Sequence, residues 1–193
     1  QQAVCDIAGV EPGQRVLVLG ASGGVGSYAV QLAHAAGAVV TGVASSSKAD
    51  YVLSLGAAHV IDYRAEDPTA GDERYEAIID IGGRTPVRKL RRILSPTGTL
   101  VIVGGEGGGR WTGGIGRQLR AVMLSMFTRQ RLTMFISAES GEAIERLREQ
   151  LASGSLRPAG RTPYRLEDAP MALADLEAGR LAGKAAIVIS APE

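Results

Sequence analysis

A short apolar run, RVLVL at Arg15–Leu19, gives way to the glycine-rich stretch GASGGVG and then at once to a helical pattern. A run of β-branched and leucine side chains this short reads as a strand buried on both faces. After the glycines, Val25, Ala29, Val30, Leu32, Ala33 and Ala36 recur at helical spacing and stop at Gly37, a residue type that readily ends a helix. Such a helix buries its apolar face by lying across neighbouring strands, and the chain supplies the next one at residues 39–43. The alternation continues with a helix over 48–55 closed by Gly56, a strand at His59–Asp62, a strand at 77–80, a helix over 86–94 and a strand at 99–103. This order predicts an α/β fold, a doubly wound parallel sheet with helices on both faces.

Residues 104–116 are so dense in glycine that a loop is expected there, and 117–128 resume a helical pattern through Leu119, Met123 and Met126. Residues 131–136 (RLTMFI) read as a sixth strand and 140–151 as an amphipathic helix. The remainder offers a helix near 169–178 and a strand at 185–189. The expected division is a body over 1–153 and a C-terminal helix-strand segment over 154–193.

The turn between the first strand and the first helix carries the chemistry. In Gly20-Ala21-Ser22-Gly23-Gly24-Val25-Gly26, residues without side chains let backbone approach a diphosphate. The unpaired amides and positive dipole end of the helix starting near Val25 favour its charge. In the register Ala21-x-Gly23-x-x-Gly26 an alanine replaces the first glycine, with Gly20 just before it. Ser22, Gly23, Gly24, Val25 and Gly26 are therefore candidate ligands of a dinucleotide. The bland alternative, a glycine-rich connection with no ligand, fits less well at the first junction of a long βαβ series.

An NAD site usually has a carboxylate at the end of the second strand to accept from ribose hydroxyls. Here that place reads Ala44-Ser45-Ser46-Ser47-Lys48, with no acid before Asp50. Hydroxyls and an ammonium hold a 2′-phosphate where a carboxylate repels one, so NADP(H) is favoured over NAD(H). The serines also suit a helix cap. His34 and His59, the only histidines, fit structural roles, and Asp80 at the end of the fourth strand fits a loop-tethering one.

Composition removes several classes. With 21 basic and 20 acidic residues the net charge is +1, which gives no pull toward nucleic acid or an anionic membrane. Cys5 is the only cysteine, so the sequence builds no disulfide or Cys-rich zinc lobe, and a reducing, cytoplasmic setting is expected. No apolar run reaches the roughly 18 residues of a membrane span, and the first residues lack a signal-peptide pattern. The chain starts at Gln1 and its first methionine is Met123, as in a piece of a longer protein.

GASGGVG, then VVTGVASSSKADYVLSLGA, then HVIDYRAED, with GKAAIVI near the end, resemble the zinc-independent quinone oxidoreductase branch of the medium-chain dehydrogenase/reductase superfamily. The resemblance implies a Rossmann fold and an NADPH-dependent reductase acting on a small molecule, a quinone, enone or carbonyl. It implies that Lys48 and Tyr63 grip the 2′-phosphate and adenine side, with a hydroxyl from Ser45 or Ser46. It places Gly104 and Gly105, and backbone at 135–137, beside the nicotinamide. It implies a homodimer paired through the sixth strand, residues 131–136. It also implies a preceding GroES-like barrel that supplies most of the substrate pocket and is completed by the segment from about Arg157. The alternatives are a non-catalytic nucleotide-binding or interaction module, or, less well matched, an S-adenosylmethionine site, which normally has an acid after the second strand.

Overall fold

The computed structural model describes residues 1–104, 121, 123–125, 128–135 and 141–189. Six strands form one sheet: β1 Arg15–Leu19, β2 Val39–Ala44, β3 His59–Asp62, β4 Tyr75–Asp80, β5 Leu94–Ile102 and β6 Arg131–Met134. Their spatial order is β3-β2-β1-β4-β5-β6, and every neighbouring pair is parallel. Helices α1 Gly26–Ala35, α2 Ala49–Ser54 and α3 Val87–Ile93 connect strands, and α4 Gly141–Ala152 follows β6. The strand order reverses between β1 and β4, which opens a crevice beyond their C-terminal ends.

The central strand shows how this sequence makes this sheet. Val16 and Val18 pack on one face with Ala29, Val30, Leu32 and Ala33 of α1. Leu17 and Leu19 pack on the other with Val87, Leu90 and Ile93 of α3. Successive side chains point to opposite faces, so a strand covered on both reads as an unbroken apolar run. Leu17 is fully buried, and truncating such a leucine to alanine costs about 2–5 kcal/mol.

The differences from the sequence reading lie at irregular backbone. β5 begins at Leu94, immediately after α3, and its pairing with β4 shifts register between Tyr75 and Ala77. The turn-forming Ser95-Pro96-Thr97-Gly98 inside it disguised this start. β6 runs only to Met134, and Phe135 still donates its amide to the Ile102 carbonyl at 2.8 Å. Ile136 and Ser137, Gly105, and the glycine-dense stretch lie outside the described residues, as does most of 117–128. A helical turn at Gln2–Ile7, too short to carry a period, packs on α1.

After α4 the chain turns back onto the body. Leu156 is buried in the core. Gln31 of α1 holds Arg157 at both backbone groups, donating to its carbonyl at 3.1 Å and accepting its amide at 2.8 Å. The Tyr28 and Tyr51 hydroxyls accept the amides of Ala159 and Gly160 at 3.2 and 3.1 Å. Then β7 Arg161–Arg165 pairs in parallel with β8 Lys184–Val188 as a separate two-stranded sheet, with helix α5 Ala169–Glu177 between them. The sequence reading found the helix and β8 but no β7. Pro163 argues against a strand in general, yet is tolerated where, among the described residues, the strand has a partner on one side only.

Candidate dinucleotide site

The turn after β1 is shaped by two glycines. Gly20 has φ +81°, a conformation that turns the chain sharply and that side-chain-bearing residues rarely adopt. The next residue, Ala21, is buried and donates its amide to the Val43 carbonyl at 3.1 Å. Gly20 thus makes the tight turn that a glycine at position 21 would otherwise make. Gly26 opens α1, and a Cβ there would overlap the Gly20 carbonyl oxygen, so helix and strand end approach as only glycine allows. The amides of Ser22, Gly24 and Val25 have no backbone acceptor among the described residues. They sit at the positive end of α1, where an anion is favoured.

Two hollows meet at this turn. On one side lies a cleft of about 940 Å³ bordered by Ser22 and Gly23, by Lys48, by Tyr63 and Arg64 after β3, and by Arg84 after β4. On the other lies an apolar pocket of about 450 Å³ bordered by Gly24 and Val25, by Tyr28 of α1, and by Ile81, Val103 and Phe135 at the strand ends. The cleft is rich in charge, whereas Gln1 and Tyr28 are the polar side chains around the pocket.

The loops around the cleft hold the other expected residues. Lys48 is partly buried, and burial, followed by the field of Arg64, pushes its ammonium pKa down. Tyr63 is 54% exposed, with the Arg64 Cζ 5.8 Å from its ring centroid. Ser45 is buried, shares a 3.2 Å hydrogen bond with the Ser47 hydroxyl and makes no side-chain cap, so the capping expected of these serines does not occur. Ser46 is exposed and lies near enough to the Asp62 carboxylate to help lower its pKa. That carboxylate accepts the Arg64 amide at 2.9 Å, and this bond above all holds its pKa below the usual range. Neither Ser45 nor Ser46 borders the cleft.

Asp80 is buried and accepts the Gly83 amide at 3.0 Å, a loop-tethering contact. Gly104 donates its amide to the Asp80 carbonyl at 3.2 Å, and a Cβ on it would overlap the Ile81 carbonyl. Neither histidine borders either hollow, and His34 packs on Gly56. The structure therefore gathers Ser22, Gly23, Lys48 and Tyr63 around the cleft and Gly24 and Val25 around the pocket, while Gly26 and Gly104 pack behind them.

Sequence reasoning missed Arg64, Arg84, Thr85 and Lys89 around the cleft, although residues just past the C-terminal ends of β3 and β4 were signposted by the strand order itself. It also missed the tail. Leu176, Glu177, Ala178 and Gly179 border the cleft, and Gly183 donates its amide to the Ser22 carbonyl at 2.8 Å. The Lys184 side chain crosses Gly24 so closely that a Cβ there would overlap its Cε. No periodicity signals such contacts.

Residues 55–187 match the family described as zinc-binding dehydrogenase. The chain belongs to this family of medium-chain dehydrogenases and reductases. It is 30% identical over 178 residues to the chloroplastic quinone-oxidoreductase QR1 of Triphysaria versicolor, covering 90% of this chain and 52% of the relative. The quinone oxidoreductase structure from Coxiella burnetii superposes with a TM-score of 0.79 at 26% identity, covering 98% of this chain and 56% of the other. The E. coli K-12 YhdH structure with bound NADPH gives 0.72 at 26% identity, covering 98% and 58%. This family member spans about half the length of the curated relatives it matches. Among its described residues no cluster of His, Cys, Asp or Glu fits a metal ion, despite the zinc in the family's description. None of its described helices is long and apolar enough to cross a membrane.

Proposed function

We propose that this chain is the NADP(H)-binding part of an oxidoreductase that transfers hydride between NADPH and a quinone, enone or carbonyl substrate. The supporting observation is the position of the turn at 22–25 between a charged cleft and an apolar pocket. A dinucleotide is built the same way, with a phosphorylated nucleoside and a nicotinamide joined by a diphosphate. With the diphosphate over the free amides, the phosphorylated ribose lies toward Lys48 and Tyr63 and the ring toward Val25. Lys184, crossing the turn, brings a cation, the sign a diphosphate attracts.

Bound NADPH supplies the hydride, leaving as NADP⁺, while the substrate gains that hydride and a proton. The chain's own part is to orient the ring against apolar walls and to exclude water from it. The NADPH-bound neighbour and the quinone oxidoreductase relatives agree with this chemistry.

On the same reading, residues 154–193 complement a preceding domain. Leu166, Met171, Leu173 and Ile189 stand 53% to 81% exposed there, apolar surface that a further domain would cover. β6 is an edge strand with a partner only in β5 among the described residues, suited to pair with its twin in a homodimer. The lone cysteine keeps a reducing compartment, the cytoplasm, as the proposed location. Calorimetric titration tests the core of this proposal: NADPH binds, NADH binds more weakly, and no heat with either would overturn it.

A further inference from the structure

We infer that Arg64 is a second cation of the 2′-phosphate subsite and, together with Lys48, sets the preference of this site for a dinucleotide bearing a terminal phosphate monoester. The inference rests on the cleft being an NADP(H) site and adds a specificity-determining residue to it.

The two cations come from different loops, one after β2 and one after β3, and both border the cleft. Asp62, the last residue of β3, braces the second of those loops: its carboxylate accepts the Arg64 amide at 2.9 Å, closing a tight turn. Asp62 is a positioning residue here, since it fixes the turn that carries Arg64 without bordering the cleft.

Arg64 is arranged to receive an anion. Its guanidinium lies over the exposed ring of Tyr63, a placement that restrains it while leaving its N–H fork open. Neither it nor the Lys48 ammonium forms an ion pair among the described residues, although Lys89 on the same cleft is neutralised by Asp67 at 2.6 Å. The Lys48 and Arg64 cations repel each other, as the lowered Lys48 pKa reflects beside the larger effect of burial, although the Asp62 carboxylate also attracts Arg64. A phosphate monoester, close to a dianion at neutral pH, relieves both. A planar guanidinium and a point-like ammonium also reach a phosphate from two directions, which a ribose hydroxyl cannot exploit.

The test is calorimetric titration of the wild type, Arg64→Met, Arg64→Lys and Lys48→Met with NADPH, NADH and 2′,5′-ADP. Arg64 is exposed, so the substitutions leave folding intact, and an unchanged thermal midpoint verifies this. Arg64→Met is expected to weaken NADPH and 2′,5′-ADP by about ten- to a hundredfold with NADH unchanged, as for loss of a charged hydrogen-bond donor. Arg64→Lys restores part of the loss, and added salt erodes the NADPH preference of the wild type more than that of Arg64→Met. If Arg64→Met weakens NADPH and NADH alike, or neither, while the wild type still prefers NADPH, the role of Arg64 is overturned and the dinucleotide site stands. If the wild type binds neither nucleotide, the site itself is overturned, and Arg64 with it.

Discussion

The cleft and the pocket on the two sides of the glycine turn are made from opposite materials, though they share one piece of backbone. The cleft is bordered by Lys48, Arg64, Arg84 and Lys89 together with Glu66, Asp67 and Glu177. The pocket is bordered by valine, isoleucine, leucine and aromatic side chains. A charged ligand half in the pocket would lose its hydration without replacement, and a bare aromatic ring in the cleft would leave its charges unused. The contrast therefore gives a ligand a direction, from phosphate to ring, before any single contact is considered.

The sharpest way to break the contrast is to remove the element common to both sides. Gly26→Val places side-chain atoms against the Gly20 carbonyl, and overpacking against backbone is expected to cost about 3 kcal/mol. Urea unfolding should show that loss, with NADPH and 2′,5′-ADP binding lost together; an unaltered midpoint would refute the close approach. Lys48→Glu should act on the cleft alone, raising the NADPH dissociation constant about a hundredfold while sparing NADH. Equal loss for both nucleotides would show that the 2′-phosphate lies elsewhere.

Val25→Ser should act on the pocket alone. Val25 is 53% exposed in the absence of a ligand, and losing its methyl contacts is worth about 1 kcal/mol. NADPH should weaken accordingly and 2′,5′-ADP, which has no nicotinamide, should not. The smallest effect is expected at Asp67, whose carboxyl is held well below the ordinary range chiefly by the hydrogen bond from Lys89. A lowered folded-state pKa stabilises above the unfolded value of about 4 and is lost as pH falls below it. The pair is about two-fifths exposed, so Asp67→Asn should cost less than about 1 kcal/mol at neutral pH and flatten that acid-side decline. Thermal melts from pH 7 down to 3 would measure it.

Regular backbone was the most legible part of this protein. Leu17 and Val18 are fully buried on opposite faces, and that burial is written directly as an apolar run. The turn at 20–26 was legible because glycine marks places where backbone must come close. Lys48 and Tyr63 were legible from family resemblance, and both border the cleft. Other features depend on contacts between distant residues, which leave no local period. Ser46 reads as a phosphate ligand from its position, yet it is exposed and does not border the cleft. Arg64 was passed over because nothing local distinguishes it from any solvated arginine. β7 was hidden by a proline, which a strand tolerates at an edge, where β7 lies among the described residues.

The amide of Gln31 bears on how this protein may be shortened. It is buried, and both its hydrogen bonds to Arg157 close a span of 126 residues. A chain trimmed at the end of α4 would leave the Gln31 Oε1 without its donor inside the fold, though Nε2 still donates to the Ser27 carbonyl, and open a hole where Leu156 sits, so a minimal version of the body has to extend past Gly160. The strap at 156–160 thus closes the body from which it starts.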